Sequence, residues 1–510
     1  MNSIEPRTSQ SHPLQIAEVE VSAGMGKVGL TLCPGKVQSW GLTGSWKRDL
    51  GLDLDAVAAW NAAVVVTLVE AEELERLQVP GLGEAVRDRH MEWLHLPIRD
   101  RDVPCDGFEA EWELTGEQLR SRLRSGFNVL IHCMGGLGRA GTIAARLLVE
   151  FGWQPGDAIR AVRKVRPGAL ETDAQEDFVH GQIALPEAQP KTSLAAIRER
   201  AIGALLGLTV GDAIGTSLEF SARDSRPRVT GMEGGGPFRL EPGQWTDDTS
   251  MALALADSLI ACGGLDEQDL MTRFVSWMDE GAYSSNGRCF DIGITVRGAL
   301  NRFKATGDPV AGSTNPASAG NGSLMRLAPM AIRYWNDEQA RRDAAARQSR
   351  TTHGAPEAVD ACVVFADMLA DAIAGRPRSD VLRNRSSAPN YAGHIAAIMA
   401  GRWRGQARGD IHSSGYVAHS LEAAIWCVAR TGSFAEAVLL AANLGEDADT
   451  VAAITGQLAG ALYGYQGIPG QWLGQLASQG MIFGLARQLV DATTRLLFLP
   501  VARACGSLIR

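Results

Sequence analysis

An α/β unit followed by an all-α unit is the fold class this sequence predicts. Between residues 16 and 184, short β-branched runs alternate with helical segments. That is the pattern of a central mixed or parallel sheet with flanking crossover helices. A polar, proline-bearing stretch at 185–193 (LPEAQPKTS) reads as a linker. Beyond it strand-like runs almost vanish, and Ala- and Leu-rich windows recur at helical period from 194 to 510.

The elements follow in order. Residues 1–15 are polar and are expected to be flexible. Residues 63–69 (AVVVTLV) and 128–132 (NVLIH) have the length and β-branching of buried strands. Residues 71–77 and 116–124 read as helices between them. In the second unit the clearest helical windows are 251–261, 435–443, 451–462 and 481–498, and no tandem repeat is visible.

Composition narrows the function classes. A hydrophobic share of 45% against 21% charged residues excludes a wholly disordered chain. The net charge of −9 argues against a general binder of nucleic-acid backbones. No uninterrupted apolar run approaches the ~20 residues of a membrane span, and the N-terminus lacks a basic and apolar leader pattern. The eight cysteines are scattered without a CxxC pair, as expected of reduced thiols in a cytoplasmic protein.

The sharpest local signal is HCMGGLGR at 132–139, a strand end, a glycine loop and a helix start. Successive backbone N–H groups in such a loop form an anion-binding nest, and the helix dipole adds positive potential. Cys133 is thereby a candidate nucleophile, and Arg139 a bidentate clamp for phosphate oxygens. Gly135, Gly136 and Gly138 let the loop approach the anion. The Cys-to-Arg spacing with these glycines resembles the cysteine-based protein tyrosine and dual-specificity phosphatases, above all the cyclin-dependent kinase inhibitor 3 class. The resemblance implies that Asp100, in the 97–100 loop (PIRD), is the general acid; Asp102 and Asp106 sit close by, and an exposed acidic loop is the alternative reading for all three. It also places Gln175 where the family has a water-positioning glutamine. One departure is Ala140, where the family has Ser or Thr to help the thiolate leave; Thr142 is expected to point elsewhere.

The second signal is a pair of distant acidic strings. WTDDT at 245–249 and GEDADT at 445–450 each open an apolar helix. Aspartates from both strings, brought together, repel unless cations lie between them, and oxygen-only ligands select hard ions such as Mg²⁺ or Mn²⁺. With GDAIG at 211–215, GRCFDIG at 287–293, GNGSLMR at 320–326 and SGY at 414–416, these strings resemble the ADP-ribosylglycohydrolase family, including the dinitrogenase reductase-activating glycohydrolases. The resemblance makes Thr246, Asp247, Asp248, Asp447, Asp449 and Thr450 ligands of two divalent cations, which would hold the ribose diol. It makes Asp291 a catalytic carboxylate acting as base or acid, and Glu219 a second catalytic carboxylate near the ribose. Asn321, Gly322, Ser323, His353 and Tyr416 become contacts to ribose, diphosphate and adenosine. Glu446 departs from the family's usual Gly and is expected to turn away from the site. His419, Trp245 and Trp426 are read as structural, and GMGK at 24–27 is not a nucleotide P-loop.

The expected protein is a bifunctional hydrolase that cleaves ADP-ribose at C1″ and hydrolyses phosphate monoesters. Its partners would be an ADP-ribosylated protein or an ADP-ribose-containing small molecule, and a phosphorylated substrate; a nucleic-acid end is less favoured. Two alternatives stand beside it. The first unit could be a phosphate-binding targeting module without turnover, or both units could process one phosphorylated ADP-ribose molecule.

Overall fold

The computed structural model describes residues 5–39, 44–385 and 391–497, with side chains through 493. The first unit carries strands β1 (Ala17–Glu20), β2 (Lys27–Leu32), β3 (Val37–Gln38), β4 (Trp46–Lys47), β5 (Ala62–Thr67), β6 (Glu92–His95) and β7 (Asn128–Cys133). Five of them form one mixed sheet in the order β1-β2-β7-β5-β6, with β3 and β4 paired separately. β1 is antiparallel to β2, and the other neighbours are parallel. Every residue of β5 is buried, which explains its unbroken apolar run: helices cover both faces of the sheet. The parallel register sets Leu32 beside Cys133, at the sheet end where β7 delivers the glycine loop.

Two expectations need correction here. The helix expected at 116–124 is the last half of a longer one, Asp106–Arg124, whose first turns carry more acidic residues than apolar ones and so lack a clear stripe. Residues 7–12, expected to be flexible, are docked. Arg7 bridges Trp46, and Ser9 is buried, accepting the Asp49 amide at 2.9 Å. The 185–193 stretch carries no regular element but is tied at both ends, by Leu185 N–H to the Glu150 carbonyl (3.0 Å) and by Arg200 to the Lys191 carbonyl (2.9 Å).

From Leu194 onward the regular elements among the described residues are helices. Leu194–Leu218 is long and apolar enough to cross a membrane, yet 94% of its apolar window is buried inside this unit, where it serves as the core helix. Its glycines recur every four residues. A Cβ on Gly203, Gly207, Gly211 or Gly215 would lie 2.4, 2.2, 2.1 or 2.4 Å from the carbonyls of Gly460, Gly456, Ala452 and Ala448. This ridge lets Leu194–Gly215 and Ala448–Tyr463 run antiparallel almost backbone to backbone. The contact has a functional consequence: Asp212, next to Gly211, and Asp449, next to Ala448, arrive at the same level. Gly456→Ala would force a Cβ to 2.0 Å from the Gly207 carbonyl. It should therefore cost about 3 kcal/mol of stability, read from urea unfolding.

The two units share buried surface. Ala63 and Phe127 of the first belong to the hydrophobic core of the second. Phe127 meets Trp426 edge to face at 6.3 Å, and Arg430 donates to the Ala62 carbonyl at 2.6 Å. Arg122 returns a hydrogen bond to the Arg430 carbonyl at 3.0 Å.

Candidate active sites

The first site begins where β7 ends. Cys133 is 3% exposed, and the loop after it turns into the Gly138–Glu150 helix. Gly136 has φ 69°, and a Cβ there would lie 2.4 Å from the Thr31 carbonyl, so only glycine closes this loop. His132 is buried; its Nε2 pairs with the Thr67 hydroxyl at 2.7 Å, and burial pushes it down to about 3. It is a neutral strut beneath the loop.

Arg139 is almost fully buried and is gripped by Glu73, with Nη2 to Oε1 at 3.0 Å and Nη1 to Oε2 at 2.5 Å. It also donates to the Ile98 carbonyl at 3.0 Å. Burial pushes the Glu73 carboxyl up, but its hydrogen bonds to Arg139 and the Glu70 amide hold it below its ordinary value. Among the three acids of the neighbouring loop, Asp100 reaches the site: Oδ1 lies 3.0 Å from Arg139 Nη2 while its side chain stays 58% exposed, as a proton donor to an incoming substrate requires. Asp102 instead accepts the Val103 amide, and Asp106 starts a helix. Thr142 donates back to the Gly138 carbonyl at 2.9 Å, so no hydroxyl from 140 or 142 serves Cys133.

Gln175 is fully buried and spends its amide on the Glu171 N–H and the Asp102 carbonyl, away from a water-positioning role. Glu171 itself is exposed, and its carboxylate accepts the Gly138 N–H at 2.9 Å. One amide of the nest thus already faces an anion. Glu171→Gln should lower KM for an aryl phosphate about threefold to tenfold at low salt, with the difference shrinking as salt is added.

The second site is a cavity of about 830 Å³ in the helical unit. Glu219, Asp247, Asp291, Asn321, Gly322, His353, Asp447, Asp449 and Thr450 all line it. Asp212, Asp248 and Asp449 offer carboxylate oxygens within 4.8 Å of one another, as do Glu219, Asp447 and Asp449. Asp212 anchors the start of the Asp247–Ala261 helix. It accepts the Thr246 amide and hydroxyl (both 2.9 Å) and the Thr249 amide (3.0 Å) and hydroxyl (2.7 Å). Thr246 Oγ1 also lies 3.2 Å from Asp248 and 3.3 Å from Asp449, and Thr450 Oγ1 lies 3.4 Å from Asp248. Asn321 donates to both Ser420 and Asp447, tying the GNGSLMR turn to the second acidic string.

Burial, reinforced by repulsion from Asp449, pushes Asp212 and Asp447 up to about 7, Asp291 to about 11, and Asp247 and Asp248 well above the carboxylate range. Asp248 Oδ1 is buried without a hydrogen-bond partner among the described residues. Crowded, buried, oxygen-only and partly unsatisfied, this donor set fits hard divalent cations. Asp291 (φ 58°) and Glu446 (φ 60°) adopt left-handed backbone that non-glycine residues rarely hold, and both line the cavity. Glu446, expected to turn away, is exposed at that lining: its backbone is pinned between the Ser221 carbonyl and the Phe220 amide.

Residues 193–496 match the family described as ADP-ribosylglycohydrolase. The chain belongs to the ADP-ribosylglycohydrolase family. ADP-ribosylarginine hydrolase Tri1 of Serratia proteamaculans is 47% identical over 294 residues, covering 57% of this chain and 79% of that protein. A solved ADP-ribosylglycohydrolase-related protein complex aligns with a TM-score of 0.52 at 41% identity, covering 59% of this chain and 99% of that one. Residues 42–179 match a Swiss Army Knife protein, DSP-PTPase phosphatase domain. Cyclin-dependent kinase inhibitor 3 of Rattus norvegicus is 29% identical over 184 residues, 34% of this chain and 82% of that protein. The chain is therefore a hydrolase that joins a dual-specificity-type phosphatase domain to an ADP-ribosylglycohydrolase.

Within the glycohydrolase unit the remaining sequence-predicted residues fall on and behind the cavity wall. His353 is 2% exposed and pushed down to about 3 by burial. A Cβ on Gly322 would lie 2.8 Å from its Cε1, so the glycine turn packs flat on the imidazole. Thr246 and Asp248 sit behind the lining, fully buried. Ser323 does not reach the cavity: it is fully buried, and its hydroxyl pairs with Ser349 at 2.9 Å. Tyr416 stands beside the lining residues Ser414 and Gly415, with its hydroxyl held by Glu357 and His394.

These acids predict a pH dependence. Asp212 and Asp447 titrate higher in the folded protein than the ordinary 3.8 of an unfolded aspartate. The folded state then binds more protons, so cation-free stability falls as pH rises from about 4 to about 7. Thermal unfolding in chelator should show that loss between pH 5 and pH 7, and added Mn²⁺ or Mg²⁺ should flatten it.

Proposed function

We propose that the C-terminal unit hydrolyses the N-glycosidic bond between C1″ of ADP-ribose and an arginine side chain of a modified protein, using two divalent cations, Mg²⁺ or Mn²⁺. The observation that carries this reading is the meeting of both acidic strings in one cavity, with an unsatisfied carboxylate oxygen among them. Thr246, Asp247, Asp248, Asp447, Asp449 and Thr450 would hold the cations, with Asp212 bracing them. Bound cations would supply Lewis-acid orientation of the ribose diol and neutralise the carboxylate charge. Glu219, whose Oε2 accepts the Asp449 amide at 3.2 Å, and Asp291, on the same cavity wall, are placed to take a proton from attacking water and to protonate the leaving guanidine nitrogen. A water oxygen bonds to C1″ as the C1″–N bond breaks, and the pair goes to nitrogen. Asn321 and the Gly320–Gly322 turn over His353 would seat the ribose and diphosphate. Release of ADP-ribose from arginine-modified protein, with a serine-linked sample as contrast, tests the acceptor; cleavage of the serine sample alone would overturn it.

The N-terminal unit, in the same reading, hydrolyses phosphate monoesters with Cys133 as nucleophile, Arg139 as clamp and Asp100 as acid and base. A second reading, a phosphate-binding module without turnover, is favoured by Ala140 and by the committed hydroxyl of Thr142. Single-turnover against steady-state hydrolysis of an aryl phosphate separates them. We place the protein in the cytoplasm, a reading supported by seven free cysteines among the described residues; Cys505 lies outside them.

A further inference from the structure

Neither residue 140 nor residue 142 offers the phosphatase unit a hydroxyl to steady a departing thiolate, yet two unassigned cations bond to successive carbonyls of its loop. Lys36 follows β2, is 3% exposed, and donates to the Met134 carbonyl at 3.0 Å. Arg166 caps the Pro155–Val165 helix and donates to the Gly135 carbonyl at 2.8 Å and the Gly136 carbonyl at 3.1 Å. Three consecutive carbonyls after Cys133 are thereby pulled outward, which turns the loop amides inward toward the anion.

We propose that Lys36 and Arg166 let the Cys133 phosphoenzyme turn over, their charges and their hold on the loop replacing the hydroxyl absent at Ala140. This rests on the phosphatase reading above. Both cations feel the nucleophile. Burial pushes the Lys36 ammonium and the Arg166 guanidinium down, and a charge on Cys133 opposes that at both. The neighbouring Cys33 is pushed up to about 12 by burial and stays a thiol. A buried lysine is costly to keep charged, and here its hydrogen-bond partners among the described residues are the Met134 carbonyl and the Gln38 amide oxygen.

The chemistry balances in two steps. Cys133 Sγ attacks phosphorus, the S–P bond forms, and the P–O bond to the substrate breaks as Asp100 protonates the leaving oxygen. Water then attacks phosphorus and gives its proton to the Asp100 carboxylate; the S–P bond breaks and its electron pair returns to sulfur. Lys36 and Arg166 act on that second step as positioning and stabilising residues, since their hydrogen bonds go to Gln38 and to the loop carbonyls.

The test uses the full chain and an aryl phosphate, following phosphoenzyme by quenched-flow trapping alongside product release. The wild type is expected to turn over. Lys36→Met and Arg166→Met should form phosphoenzyme at nearly the wild-type rate, accumulate it, and lose about tenfold or more in steady-state turnover. Lys36→Arg should retain turnover. Ala140→Ser should restore Lys36→Met while changing the wild type about twofold or less. A fall in phosphoenzyme formation equal to the fall in turnover would show a merely structural role and overturn the proposal. So would Ala140→Ser accelerating wild type and Lys36→Met by the same factor. Ala140 is fully buried, so the Ala140→Ser variant is first matched to wild type in urea unfolding; a large acceleration by it in a wild-type background is contradictory. A wild type that forms phosphoenzyme but never turns over overturns this inference and supports the targeting module; one that never forms phosphoenzyme removes the phosphatase reading itself.

Discussion

Asp449→Asn should abolish ADP-ribose hydrolysis and at the same time stabilise the cation-free protein. Asp449 is the one carboxylate shared by both oxygen clusters. Its charge opposes ionisation of Asp212, Asp247, Asp248, Asp447, Glu219 and Asp291. Asparagine keeps the shape and can still accept the Thr450 amide, which now lies 2.7 Å from Oδ1. It removes the charge that both cations would share, so turnover should fall about 10³-fold. Without cations the same change relieves repulsion, and the protein in chelator at neutral pH should gain about 1–2 kcal/mol. Paired activity assays and urea titrations read both effects. Loss of activity together with loss of cation-free stability would mean that Asp449 is a packing residue.

The second large effect concerns the other unit. Cys133→Ser should lower aryl phosphate turnover by on the order of 10⁴-fold or more, because a serine hydroxyl in this nest is not ionised and has no base beside it. Its ADP-ribose hydrolysis should be unchanged, since Cys133 packs in the core of the first unit while the acid cluster sits on helices of the second. Glu73→Gln should act more gently, raising KM about tenfold by releasing the fork that aims Arg139. Equal activity of Cys133→Ser and wild type would leave the glycine loop without a nucleophilic role.

Much of this was legible in the chain, and the boundary of legibility has a physical form. Features written within one loop could be read. The 132–139 loop states its strand, nest and helix in eight consecutive residues, and each acidic string marks its own helix start. The β5 and β7 runs were readable because a strand covered on both faces must be apolar throughout. What stayed hidden are roles created by tertiary contact. Glu73 lies 66 residues from Arg139, and its local pattern is an ordinary capping box with Glu70. Lys36 and Glu171 reach the loop from neighbouring turns with no spacing rule to announce them. Asp212 was visible beside a glycine, but only the packed ridge shows that it meets Thr246 and Thr249. The i, i+4 glycines of that ridge were the available signal, because glycine is costly inside a helix unless another backbone needs the space. Ser323 misled for the opposite reason: it shares a turn with Asn321, yet Asn321 faces the cavity while the Ser323 hydroxyl turns back to Ser349, and sequence alone does not say which does which.

The central claim is that acids from both strings gather hard cations to open a glycosidic bond. The most direct measurement is release of ADP-ribose from arginine-modified protein by the full chain, first in chelator and then with Mn²⁺ or Mg²⁺ restored. The account predicts no release in chelator, recovery on adding cation, and no recovery in Asp449→Asn. Undiminished release in chelator, or wild type and Asp449→Asn recovering alike, would contradict it.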